Sequence, residues 1–225
     1  MHPTPDILII GASRGIGAEF VRQYRAAGAT VSATVRSPTA SAALHALGAQ
    51  VLLLDVADAA QAGTLAAQIS GKRFGLVIYN AGVFGPRSAD LETPSRDEFD
   101  AVMHTNVLGA MRVLPQLADA LAPGAVVAVL SSRMGSIGGR SNGNAWLYRA
   151  SKAALNSVLK DASFACAGRA ICVALHPGWV RTDMGGAGAD LSVEESVAAL
   201  RRTLAGLTPA ENGSFFDHDG TPIAW

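Results

Sequence analysis

Only two cysteines, Cys166 and Cys172, stand in a chain of 225 residues. Two thiols without CxxC spacing build neither a disulfide framework nor a thiolate metal site, and ordinary buried thiols are expected. Net charge is also missing, because 18 Lys+Arg offset 18 Asp+Glu. That argues against a protein that coats nucleic acid and against a polybasic membrane anchor. Charged residues amount to only 16% while hydrophobic residues reach 49%. Disorder throughout is excluded by that balance, and a large core is possible. No apolar run approaches the ~20 residues of a membrane span. No basic stretch followed by a long apolar segment opens the sequence, and Ile7–Ile10 is too short for a signal-peptide core. The histidines, His2, His45, His104, His176 and His218, show no ligand spacing, so no metal site is expected. The expectation is a soluble, cytoplasmic protein.

What is present is a regular alternation. Apolar clusters of strand length recur at Ile7–Ile10, Val31–Val35, Val51–Leu54, Leu76–Tyr79, Val126–Leu130, Ile171–Leu175 and Phe215–Phe216. Most are continuous, as in strands covered on both faces. Ala-rich stretches at 15–27, 38–47, 58–70, 96–121, 146–167 and 192–206 are long enough for helices. This order predicts an α/β chain: one domain over 1–225, a doubly wound, mostly parallel seven-stranded sheet, and helices on both faces. No linker, repeat or low-complexity segment interrupts it, and Gly135 to Gly143 reads as a loop. Pro115 should kink the helix expected at 96–121, because it removes a backbone donor and clashes with the preceding turn. The long apolar helices 96–121 and 146–167 are expected either to be deeply buried or to form a subunit contact.

The first strand runs into Gly11-Ala12-Ser13-Arg14-Gly15-Ile16-Gly17 and then a helix. Glycine permits a tight turn and close backbone approach, and the helix N-terminus offers free N–H groups to a phosphate. The spacing is GxxxGxG rather than the common GxGxxG. An acid that would hold a ribose 2′-OH is missing after the second strand, where Arg36 stands instead. With Arg14 it offers two guanidinium groups to a 2′-phosphate, which favours NADP(H) over NAD(H). A plain surface arginine is the alternative reading of Arg36.

Tyr148 and Lys152 lie four positions apart, hence on one helical face. A phenol with its reference pKa near ~10 is a slow acid at neutral pH, and a nearby cation is expected to lower that pKa. Taken alone, Tyr-x-x-x-Lys is a common chance pattern. Taken with the glycine turn, Asn80-Ala81-Gly82, Asn106, Ser131-Ser132 and Pro177-Gly178, all in order, the chain resembles the short-chain dehydrogenase/reductase family over essentially its whole length. Gly213-Ser214-Phe215-Phe216-Asp217 and Trp225 look most like its C-factor and sniffer-type carbonyl reductase branch.

The resemblance implies a Rossmann-like fold, an NADP(H) cofactor and oxidoreductase chemistry on a carbonyl or alcohol. It implies Tyr148 as acid/base, and Lys152 as the residue that lowers its pKa and holds the nicotinamide ribose. It implies Asn106 as the holder of a proton-relaying water and Ser132 as the substrate-polarising serine, with Ser131 and Ser136 left open. For the cofactor it implies Gly11, Ser13, Arg14, Gly15, Ile16 and Gly17 at the phosphates, and Asp55 with Val56 at the adenine. Asn80, Ala81 and Gly82 would lie along the adenosine, and Pro177, Gly178, Val180 and Thr182 at the nicotinamide.

Substrate is expected at loops 83–95, 133–147 and 183–191, with Phe84, Met134, Ile137, Trp146, Trp179 and Met184 giving an apolar lining. Arg133 and Arg140 are read first as solvated loop residues, with recognition of an acidic group as the second reading. The family commonly pairs through the two long helices, so a homodimer or homotetramer is expected. The rival readings are an NADP(H)-binding signalling or regulatory protein with little turnover, and a Rossmann-like methyltransferase, which would have no use for Tyr148 and Lys152.

Overall fold

The computed structural model describes residues 6–225; His2 lies outside them. Seven strands form one sheet: β1 Asp6–Ile10, β2 Val31–Val35, β3 Gln50–Leu53, β4 Phe74–Tyr79, β5 Leu121–Leu130, β6 Ala170–His176 and β7 Ser214–Asp217. Their order is β3-β2-β1-β4-β5-β6-β7. Every neighbouring pair is parallel, so the sheet is wholly rather than mostly parallel.

The two-residue period of a strand splits the core in two. Ile7 and Ile9 of β1 face one layer, where they meet Phe20 and Val21 of α1 (Gly15–Ala26). Leu44 of α2 (Ser41–Ala46) and Val197 and Leu200 of α8 (Val193–Ala205) complete that layer. Leu8 and Ile10 face the other layer. There they meet Leu65 of α4 (Leu65–Gln68), Val113 of α6 (Gly109–Val113), and Leu155 and Leu159 of α7 (Trp146–Ala165). Each such Leu or Ile stabilises the fold by about 1.5–3 kcal/mol through burial.

Two expected helices are divided. The stretch 58–70 forms two single turns, α3 (Ala59–Ala62) and α4, separated at Gly63 and Thr64. The stretch 96–121 starts as α5 (Arg96–Met103), capped by Ser95 and Glu98 in reciprocal hydrogen bonds. It passes through a π-helical turn at His104–Leu108, returns as α6, and finishes as a 3₁₀ segment at Leu114–Ala120. The change at Leu114 is the break expected from Pro115.

Chain order reverses between β1 and β4. The connections leaving β1 and β4 therefore diverge and open a crevice beyond the carboxyl ends of these strands.

Candidate active site

Gly11 leaves β1 in a left-handed conformation, with φ +86°. A Cβ there would lie 2.8 Å from the backbone of Ala81, and one at Gly17 would lie 2.2 Å from the Gly11 carbonyl oxygen. Only glycine fits either place. The turn is tied to its neighbours: the Gly11 amide donates to Thr34 Oγ1 (3.0 Å), and Asn80 Nδ2 donates to the Gly11 oxygen (2.6 Å). No side chain caps α1, so its first amides remain available to an anion.

A cavity of about 360 Å³ opens above this turn. The structure brings to it Gly11, Ser13, Arg14, Gly15 and Ile16 from the turn, Arg36 after β2 and Val56 after β3. Asn80, Ala81 and Gly82 after β4, Tyr148 and Lys152 on α7, and Pro177 and Thr182 after β6 complete it. Gly178 and Val180 instead line an adjoining cavity of about 490 Å³. Gly17 lies beneath the turn and makes room for it rather than lining the space. Asp55 does not line the space either, because its carboxylate turns back to accept the Ala57 amide (2.9 Å). Arg14 is ion-paired with Asp183, which joins the glycine turn to the segment after β6.

Where the two cavities meet stands Tyr148, which lines both. Ala145, just before α7, adopts a left-handed conformation (φ 51°), a strain of about 1–3 kcal/mol of the kind that collects at working sites. Burial pushes the Tyr148 phenol up to about 12, against a smaller lowering by its hydrogen bond with Ser132. Phe84 stacks on its ring at 4.5 Å between centroids, and the Met184 sulfur lies 3.9 Å from its oxygen. Lys152 donates to the Leu130 carbonyl (2.9 Å), and its ammonium sits 5.8 Å from the centre of the Tyr148 ring. Burial lowers the lysine to about 8. The expected lowering of the phenol by Lys152 is therefore not met here: the ammonium lies beside the ring, and desolvation of the phenolate dominates.

Among the three serines the geometry discriminates. Ser131 Oγ is bonded to Asn156 (2.5 Å), and Ser136 Oγ is bonded to the Ala224 carbonyl (2.5 Å) and fully buried. Ser132 lines the larger cavity beside Tyr148 with its Oγ accepting the Met134 amide (3.2 Å), and Ser131 lines both cavities. Asn106 is wholly buried in the π-helical turn. Its amide is committed to both backbone groups of Val83 (2.8 Å each) and to Ser151 Oγ (2.9 Å). The side chain thus braces the loop after β4.

The larger cavity receives Phe84, Met134 and Met184 from the three expected loops and Trp179 from the segment directly after β6. Trp146 is not among its lining residues: its indole donates to the Glu92 carbonyl (2.9 Å) and braces loop 83–95. Several lining residues escaped the sequence reading, among them Arg87, His176 and Arg149. His176 ends β6 with its Nδ1 buried and unpartnered, and burial holds it down at about 4, hence neutral. Arg149 follows Tyr148 directly. A helical neighbour points about 100° away, so only the length and bend of this side chain return it to the same cavity.

Comparison with known proteins agrees with this arrangement. The family model for short chain dehydrogenases matches residues 6–190. C-signal of Myxococcus xanthus is 40% identical over 153 residues, 67% of this chain and 92% of that protein. Among solved structures, a short-chain dehydrogenase/reductase from Burkholderia multivorans with bound NADP superposes with a TM-score of 0.90 at 34% identity, covering 99% of this chain and 100% of that one. The carbonyl reductase Sniffer of D. melanogaster gives a TM-score of 0.86 at 31% identity, with the same coverage. Fold, glycine turn and family model converge: the chain belongs to the short-chain dehydrogenase family and is an oxidoreductase.

Proposed function

We propose that the chain is an NADP(H)-dependent carbonyl reductase in which Tyr148 donates the proton, and that one domain carries both cofactor and substrate. The observation that carries this reading is the meeting of Tyr148, Ser132 and Lys152 at the junction of the two cavities. The cradle suits a dinucleotide: the turn packs so closely on Ala81 and Asn80 that no Cβ fits at Gly11 or Gly17, and the first amides of α1 beside it carry no side-chain cap. Arg36 and Arg14 would hold a 2′-phosphate, and the Burkholderia neighbour contains NADP. When bound, the cofactor supplies or accepts the hydride.

The chain's own residues do the rest. At neutral pH the phenol of Tyr148 is protonated, the form needed to donate to a carbonyl oxygen. The Ser132 hydroxyl donates to the same oxygen and stabilises the charge growing on it. Lys152 stays mostly charged below pH 8 and would hold the nicotinamide ribose hydroxyls. Phe84 and Met184 cover the phenol and exclude water. Exposed Phe99, Met111 and Phe164 on α5, α6 and α7 support pairing of two copies through these helices. No helix among the described residues is long and apolar enough to cross a membrane.

NADPH oxidation over a panel of aldehydes, ketones, diketones and quinones tests the reading beside Tyr148→Phe. Turnover should fall by about 10²–10⁴-fold with little change in NADPH affinity. Equal turnover by both proteins refutes the role of Tyr148. Tight NADPH binding with no turnover by either protein favours the regulatory reading.

A further inference from the structure

The larger cavity is electrically one-sided. Arg87, Arg133 and Arg149 line it, and no aspartate or glutamate does. Arg133 is already matched from behind, because it pairs with Asp217, which also holds His218 Nδ1 (2.6 Å). Arg87 reaches over the Phe84 ring at 4.8 Å from its centre and donates to the Met184 carbonyl (2.6 Å), with no carboxylate partner among the described residues.

Arg149 is the residue that needs an explanation. It is only 6% exposed, yet it forms no ion pair among the described residues. Neutral groups hold it: Nε donates to the Asn144 carbonyl (2.7 Å), and Nη2 donates to Asn142 Oδ1 and to Asn144 Oδ1 (2.9 Å). Nη1 has no partner among the described residues, and it is absent from the enclosed, unpartnered atoms, so solvent still reaches it. Burial and the neighbouring Arg140 both work against its charge, but a guanidinium keeps its proton in proteins. A buried cation without a counter-charge is a standing cost unless a ligand supplies the anion. His176, on the same wall, is neutral and supplies no charge of either sign.

We propose that the natural substrate is an anionic carbonyl compound, an aldehyde or keto acid whose carboxylate is received by Arg149 with Arg87 as the second cation. This rests on the reductase reading and names its substrate class. Asn142 and Asn144 then orient the guanidinium, leaving one edge for the ligand. The simpler role for Arg149, a clamp on the 142–144 loop, predicts no preference for charge in the ligand.

The test uses pairs of probes: ω-oxo carboxylic acids of increasing chain length and formylbenzoates, each beside its methyl ester. Binding to the whole protein is measured by calorimetry with and without NADP⁺, and turnover by NADPH oxidation. At least one acid should bind about tenfold or more tightly than its ester, the effect of one charge-assisted hydrogen bond. Arg149→Gln should remove that preference and leave the ester's affinity nearly unchanged, while Arg149→Lys should retain part of it. If Arg149→Gln fails to fold, the wild-type pairs and the surface variant Arg87→Gln decide, with a partial loss of preference expected in the latter. Esters binding as well as acids at every length overturn the proposal. So does an acid preference that survives Arg149→Gln undiminished. Failure of the reductase reading is seen separately, as absence of NADPH binding or of turnover, because acid-over-ester binding is read without chemistry.

Discussion

Lys152 works against the stability of the fold that contains it, and the penalty can be measured. Its ammonium is buried, and burial alone brings it from 10.5 to about 8. That displacement equals about 3 kcal/mol of preference for the neutral form. Below pH 8 the lysine is charged in both the folded and the unfolded chain, so the full penalty applies. Between pH 8 and 10.5 the folded chain loses the proton while the unfolded chain keeps it, and stability rises with pH. Above 10.5 both forms are neutral and the penalty is gone. Lys152→Met removes the charge and keeps the length of the side chain. It also removes the hydrogen bond to the Leu130 carbonyl, a loss of about 1 kcal/mol. The variant should therefore be more stable than the wild type by about 2 kcal/mol at pH 7. The advantage should shrink through pH 8–10.5 and end near zero or slightly negative. Urea unfolding of both proteins at equal concentration, at several pH values from 7 to 10.5, reads this difference directly. Tyr24, Tyr79 and Tyr148 all have raised pKa values and depress alkaline stability in both proteins, so the comparison largely cancels them. A variant less stable than the wild type at pH 7, or a difference that does not change with pH, refutes the reasoning. The same variant should lose carbonyl reduction, which makes Lys152 a residue kept for chemistry at the expense of the fold.

Other substitutions probe the remaining parts of the site. Gly17→Ala places a methyl 2.2 Å from the Gly11 oxygen and 2.9 Å from Ala12 Cα; the turn must shift, and NADPH affinity should drop by about tenfold or more with about 1–3 kcal/mol of destabilisation. Fluorescence titration with unchanged affinity would remove the turn from the cofactor site. Asn106→Ala strands both backbone groups of Val83 and leaves Ser151 Oγ only its bond to the Tyr148 carbonyl; a loss of about 2–3 kcal/mol should lower Tm by about 5–10 °C, and an unchanged melting curve counts against the bracing role. Arg36→Ala should weaken NADPH by about 10–100-fold and leave NADH unaffected; parallel kinetics with the two cofactors decide it, equal losses for both being the contrary result.

Local chemistry made much of this legible. β1, β4 and β6 are covered on both faces, so their residues read as largely continuous apolar runs, whereas β2 is equally buried but alternates Ser32 and Thr34 with Val31, Ala33 and Val35. The glycines of the turn and the Tyr148–Lys152 spacing are visible because each depends on backbone sterics or helical period within a few residues. The division of helix 96–121 was only half legible. Pro115 announces the 3₁₀ segment, but nothing near His104–Leu108 announces the π-helical turn, in which Asn106 pairs with the distant Val83 and Ser151.

Contacts between remote segments decided the rest. The sequence favoured Ser132 and left Ser131 and Ser136 open; Asn156 and the Ala224 carbonyl engage those two, while Ser132 lines the larger cavity beside Tyr148. Trp146 looked like a pocket wall until Glu92 supplied an indole acceptor, and Asp55 looked like an adenine contact until its own loop folded back on it. Tyr148 has its titration set by burial, which no spacing records. Arg149 carries the largest lesson: adjacency to Tyr148 put it on another helical face, and Asn142 and Asn144 brought its guanidinium back to the same cavity. The sequence by itself determined the layered sheet, the glycine turn and the placing of Tyr148 and Lys152 on one helical face, because period and backbone sterics are local properties. Which hydroxyl and which cations line the larger cavity, and in which protonation state, were decided only when distant segments met, because partners and burial are properties of the folded chain.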